Sequence, residues 1–128
     1  MKKLIPILAL AAILFSCESE NRVYNEHQEL SPQVEWLKKD SRKFSVPIDD
    51  KSSSYNLLLS FRYTTGYQYQ TVNVKVTETS PSGKETIKMY DLKVREANGD
   101  YIGEAGLDIW DSEHKVESNK KYSETGTY

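Results

Sequence analysis

A single cysteine in 128 residues excludes an internal disulfide and any cysteine-built metal site. A small exported domain without bridges must rely on its hydrophobic core. Histidine is equally scarce: His27 and His114 are the two present, and neither accompanies a Gly-x-Ser-x-Gly nucleophile motif. Both read as ordinary surface groups. Glycine is sparse, and Gly99, Gly103 and Gly106 are too loosely placed, with no following helix, to cradle a phosphate. Positive charge is not in excess, which argues against a nucleic-acid role and against electrostatic adhesion to anionic lipid.

What is present begins with a leader. Lys2 and Lys3 precede the apolar run Leu4–Phe15, the pattern of a secretory signal peptide. The run is shorter than the ~20 residues that cross a bilayer core, and Pro6 suits a membrane helix poorly. Leu14-Phe15-Ser16-Cys17 then reads as a bacterial lipobox, with Cys17 taking a diacylglycerol and cleavage before it. Phe15 is bulkier than usual there. The domain division is therefore a leader over 1–16, a lipidated Cys17 with a short tether over 17–22, and one domain over 23–128. Removing the leader, with two lysines and no acids, leaves 112 residues carrying 15 Lys and Arg against 19 Asp and Glu, a net charge of −4. That length suits one domain. Attachment then comes from acyl chains, of which two or three are needed to hold firmly. The tether Glu18–Arg22 reaches at most about 16–18 Å.

Along the rest of the chain, period-2 alternation dominates. Val23–Gln28 is expected as a first strand. Ser31-Pro32 is expected to open a short helical turn, with Trp36 dropping into the core. Phe44, Val46 and Ile48 alternate with polar residues, and Pro47 marks an edge strand or strand end. Tyr55, Leu57, Leu59, Phe61 and Tyr63 form the strongest apolar face, and Leu58 on the other side suggests a central strand. Val72, Val74 and Val76 lead into a hairpin turn at Ser80-Pro81-Ser82-Gly83. Ile87 and Met89 are expected inward, and Leu92 and Val94 have the opposite parity. That phase change predicts a β-bulge near Tyr90-Asp91. Asn98-Gly99 is expected as a type I′ turn. Asp111–Lys121 is expected as a solvated loop. Gly126-Thr127-Tyr128 reads as the opening of a strand, which suggests a chain incomplete at that end. Short strands with regular turns predict an all-β fold, an antiparallel β-sandwich of immunoglobulin-like or jelly-roll-like kind, with a small barrel as the alternative.

Candidate chemistry is thin. Asp108, Asp111 and Glu113 are closely spaced acids without the alternation of a calcium loop. Tyr is abundant, and Tyr67 and Tyr69, near Arg62, form a candidate interaction surface, since tyrosine buries a ring and keeps a wet hydroxyl. Its target is protein, or glycan if the chain is a lipid-anchored carbohydrate-binding module.

Several residues taken in order resemble the gliding-motility lipoprotein GldH family. They are Cys17, Val23-Tyr24, Trp36, Phe44, Ile48-Asp49-Asp50, Tyr55-Asn56-Leu57, Arg62, Tyr67-x-Tyr69, Pro81-x-Gly83, Asp91-Leu92, Gly99-x-Tyr101-x-Gly103, Gly106-x-Asp108-Ile109 and Gly126-x-Tyr128. Gln68 and Thr71 depart from the family's usual Pro and Asn. The resemblance implies an accessory envelope lipoprotein of the gliding machinery, without enzymatic activity or cofactor beyond the covalent lipid on Cys17. It implies an outer-membrane location facing the periplasm, with other envelope gliding proteins as partners.

Overall fold

The structure is a computed structural model, and it describes residues 21–29, 32–33 and 35–128. The leader, Cys17, Ser31 and most of the tether lie outside the described residues. Among the described residues seven strands run in order: β1 (Pro47–Ile48), β2 (Tyr55–Thr64), β3 (Thr71–Thr79), β4 (Glu85–Lys93), β5 (Glu104–Ala105), β6 (Ile109–Lys120) and β7 (Gly126–Thr127). All pairings are antiparallel: β2-β6-β5 in one sheet, β3-β4 in a second, and the short pair β1-β7. No helix occurs among the described residues. The expected all-β antiparallel fold is what the chain adopts.

The two larger sheets face each other. Leu57 of β2, Val76 of β3, Tyr90 of β4 and Lys120 of β6 line one small inter-sheet space. The fully buried apolar core is modest: Ile48, Tyr63, Leu92 and Val94. Tyr63 enters it with its hydroxyl satisfied. The hydroxyl donates toward the carbonyls of Val94 (2.7 Å) and Ile102 (2.5 Å) and accepts from Ile102 N–H (3.1 Å). A buried hydroxyl without such partners would cost about 1–3 kcal/mol.

The hairpin between β3 and β4 forms as its turn residues require. Ser80 C=O accepts from Gly83 N–H at 2.8 Å, and Ser80 N–H donates to Lys84 C=O at 2.8 Å. Pro81 supplies a preset φ, and Gly83 sits at φ 89°, where a residue with a Cβ is strained.

Several expectations give way. Val23–Gln28 is not a strand; it has no ladder partner, and Val23 sits in a bend. Pro32 and Gln33 form a turn only. Trp36 is 39% exposed rather than in the core, because its N–H is spent on Asp40 C=O at 2.6 Å at the surface. β2 is not central: β6 lies between β2 and β5. The β3–β4 register runs unbroken from Thr71↔Lys93 to Thr79↔Glu85, so there is no bulge at Tyr90-Asp91. Ile87 and Met89 instead face solvent at 60% and 63% exposure, and the register irregularities lie in the β2–β6 pair opposite Leu57, with the extra residues on β6. Finally, Asp111–Lys120 is the greater part of the longest strand, β6. Asp111, Glu113 and Lys115 alternate outward while Ser112 and His114 turn inward.

The Asn98-Gly99 turn also differs in type. Asn98 is absent from the left-handed residues, while Gly99 has φ 94°. Gly99 N–H bonds Glu96 C=O at 3.0 Å and Glu96 N–H bonds Asp100 C=O at 2.8 Å. This is a three-residue hairpin with Gly at the left-handed position.

Candidate functional site

The connection from β2 to β3 carries Tyr67 and Tyr69, and its shape is set from several sides. Phe61 and Tyr63 share the inward face of β2 through the period-2 pleat. The chain then turns, with Tyr67 N–H bonding Thr64 C=O at 3.1 Å. Thr65 N–H donates to Asp108 C=O at 2.9 Å, and Trp110 Nε1 donates to Thr65 Oγ1 at 3.2 Å. Gly66 N–H donates to the Tyr101 hydroxyl at 2.7 Å. Arg95 donates from Nη1 to Tyr67 C=O at 3.0 Å, and from Nε and Nη2 to Gly99 C=O at 3.1 and 2.7 Å. The same guanidinium lies 4.7 Å over the Tyr101 ring, a cation–π contact.

An aromatic series runs through this end of the sandwich. Tyr69 meets Tyr67 edge-on at 5.7 Å. Tyr67 meets Tyr63 at 5.9 Å and Phe61 at 6.5 Å. Phe61 continues to Trp36 at 6.3 Å, and Tyr63 to Tyr101 at 6.2 Å. Tyr101 stacks on Trp110 at 5.0 Å. Burial raises the Tyr67 phenol above its ordinary pKa, with a smaller push from Tyr69. The Tyr67 hydroxyl therefore stays neutral near pH 7. Tyr69 closes the series at the surface, 67% exposed.

Arg62 is not part of this assembly. It points to the opposite face of β2, where it forms a bidentate pair with Asp111 at 2.7 and 2.9 Å. The hydrogen bond to Asp111 raises Arg62 and lowers Asp111 from their ordinary values. Glu113 is likewise committed, to Arg22 at 2.9 and 3.0 Å. Two of the three closely spaced acids thus spend their charge on arginines. The structure brings Tyr67 and Tyr69 together, sets Arg62 apart, and leaves Cys17 outside the described residues. Arg95, Tyr101 and Trp110 were not singled out from the sequence as supports of this loop, because no local spacing links them to it.

A second polar assembly lies between the sheets. Lys120 of β6 pairs with Glu78 of β3 at 2.8 Å, and Glu117 of β6 pairs with Lys88 of β4 at 2.9 Å. The Tyr90 hydroxyl bonds Glu117, and Lys120 lies 5.0 Å over Tyr122. Burial pushes Tyr90 upward, and the bond to Glu117 adds to it. These pairs bridge the sheets where apolar contact is thin.

Ser112 and His114 stand 2.9 Å apart, Oγ to Nε2. The serine is buried, and its hydroxyl donates to Phe61 C=O at 3.1 Å. Burial lowers the His114 pKa. The contact ties β6 to β2 and presents no hydroxyl to solvent.

Residues 22–128 match the family model described as GldH lipoprotein. The chain is 26% identical over 122 residues to a gliding motility lipoprotein GldH homolog of Christiangramia forsetii, covering 95% of this chain and 74% of that protein. It is 28% identical over 117 residues to the gliding motility lipoprotein GldH of Flavobacterium johnsoniae, covering 91% and 72%. No solved structure matches. With the match spanning all seven strands and the Tyr67–Tyr69 loop, the chain belongs to the GldH lipoprotein family.

Proposed function

We propose that this protein is a lipid-anchored envelope lipoprotein that serves gliding motility as a non-enzymatic structural and interaction component. The observation that carries this reading is the similarity, over more than nine-tenths of the chain, to two proteins named as gliding motility lipoproteins. Cys17 is the lipid attachment site, and the outer membrane, periplasm-facing, is the location. Partners are other envelope gliding proteins, and no cofactor is used beyond the lipid.

The Tyr67–Tyr69 loop is the contact surface in this reading. It is held at Thr65, Gly66 and Tyr67 before any partner arrives, so little ordering entropy is lost on binding. An exposed tyrosine on a rigid support is the residue type that dominates protein interfaces. The 63° between the Tyr67 and Tyr69 rings offers no pair of coplanar faces, which favours a protein partner over a stacked sugar. A non-catalytic role is supported by the sealed Ser112 hydroxyl and by the commitment of Asp111 and Glu113 to arginines.

Deleting the gene in its own host tests the reading. Cells should stop gliding, and the wild-type gene should restore movement where a Cys17→Ser copy does not. Undiminished gliding after deletion would contradict it.

A further inference from the structure

We infer that the segment Arg22–Glu29 is a strap that turns the outer face of the β2–β6 sheet toward the membrane and the β3–β4 sheet away from it. The inference rests on the proposed lipid at Cys17.

The strap is seen in its contacts. Arg22 grips Glu113 through both guanidinium nitrogens, at 2.9 and 3.0 Å. Glu113 stands on the outward face of β6 with Asp111, and on that face it also accepts from Ser60 Oγ of β2 at 3.4 Å. His27 lies close to Asp111 and Glu113, and Glu29 lies close to Arg62. The far side of the segment is held by the stretch before β1, where Gln28 Nε2 donates to Lys43 C=O at 2.5 Å. Residues 22–29 thus lie over β2 and β6 with complementary charge beneath them.

Geometry turns this docking into an orientation. Cys17 lies five residues before Arg22, and an extended chain of that length spans at most about 16–18 Å. The two outer faces of a sandwich are roughly 20 Å apart, from ~10 Å between sheets and side chains on both sides. A lipid tied this closely to Arg22 keeps the β2–β6 face beside the headgroups. It leaves the opposite face, with Ile87 and Met89, in the aqueous space. Exposed ion pairs are individually weak and are screened by salt. The strap is therefore a bias that ionic strength relaxes.

The test uses the full lipidated protein in vesicles of neutral phospholipid containing a lipid-borne fluorescence quencher. Lipidation occupies Cys17, so a single introduced cysteine carries the dye: Lys115→Cys on the outward face of β6, or Thr77→Cys on the outward face of β3. Co-flotation with the vesicles reports anchoring, and quenching reports orientation. The dye at 115 should lose most of its emission and the dye at 77 should keep most of it. Glu113→Gln, or high salt, should narrow that difference while flotation stays complete. Equal quenching at the two positions, or stronger quenching at 77, with full flotation would overturn the orientation alone. Failure to float would overturn the anchoring and the orientation with it.

Discussion

Arg95 holds the main-chain carbonyl of Tyr67 at 3.0 Å across 28 residues of sequence. The contact is charge-assisted, half-buried, and shared with Gly99 C=O. Replacing Arg95 by Ala leaves both carbonyls short of a donor and removes the cation over Tyr101. We expect a loss of about 2 kcal/mol in urea unfolding, the scale of a hydrogen bond to a charged group. Amide exchange at Gly66 and Tyr67 should rise more than at the β3–β4 hairpin. Unchanged protection at Tyr67 would show that Arg95 does not support the loop.

The register of β4 is tested by contrasting its two faces. Leu92 is 2% exposed, whereas Ile87 is 60% exposed. Leu92→Ala should cost about 3 kcal/mol through lost burial and a cavity. Ile87→Thr should stay within about 0.5 kcal/mol, as surface changes do. A large loss from Ile87→Thr would restore an inward Ile87 and the bulge expected from the sequence.

Gly103 carries another strong constraint. Its φ is 125°, and an added Cβ would lie 2.2 Å from the Asp111 carbonyl oxygen. Backbone there cannot shift cheaply, since Asp111 pairs with Glu104 across β5 and β6. Gly103→Ala should lower stability by on the order of 3 kcal/mol, measured by thermal unfolding at fixed pH. A variant as stable as the wild type would mean that this approach relaxes freely.

Titration should weaken the fold at both ends of the pH scale. At the acid end, Asp111 and Glu113 are lowered chiefly by their arginines. Burial pushes Glu117 up, but its bonds from Tyr90 and Lys88 outweigh this and leave it lowered. A lowered folded pKa stabilises above the unfolded value and is lost as pH falls through the folded one. Unfolding free energy should therefore hold near neutrality and decline below about pH 4.5, the ordinary Glu range. At the alkaline end, burial raises Tyr122 to about 12. A raised folded pKa stabilises below the unfolded value and is lost as pH rises, here from the ordinary ~10 toward about 12. Urea unfolding across both windows checks this, with tyrosinate absorbance on the alkaline side. A flat profile would contradict these pairings.

The parts of the fold legible in the sequence were those where apolar residues alternate cleanly. Tyr55–Tyr63 and Val72–Val76 announce their inward faces, and Ser80-Pro81-Ser82-Gly83 announces its turn. β6 was hidden because its inward positions include Ser112 and His114, which carry no hydropathy signal; His114 is satisfied by Ser112, and Ser112 by the Phe61 carbonyl of β2. In β4, Ile87 and Met89 are apolar yet outward, so the sequence pattern shows a phase change where the pleat is continuous. Hydrophobicity alone puts Trp36 inside, whereas its N–H finds a surface carbonyl. Of the candidate site, Tyr67 and Tyr69 were visible as a local pair. Their supports were not, since Arg95, Tyr101 and Trp110 reach the loop through tertiary contacts. Arg62 lies near Tyr67 in sequence but on the other face of β2, a separation that strand parity alone decides.

The most direct measurement places a photo-crosslinking amino acid at Tyr69 in the full-length protein, in living, gliding cells. The account predicts adducts with an envelope protein at position 69, none at the outward position Ser118, and loss of gliding in a Tyr69→Ala strain that keeps normal protein levels and membrane attachment. Absence of adducts at 69 together with undiminished gliding of the Tyr69→Ala strain would contradict it.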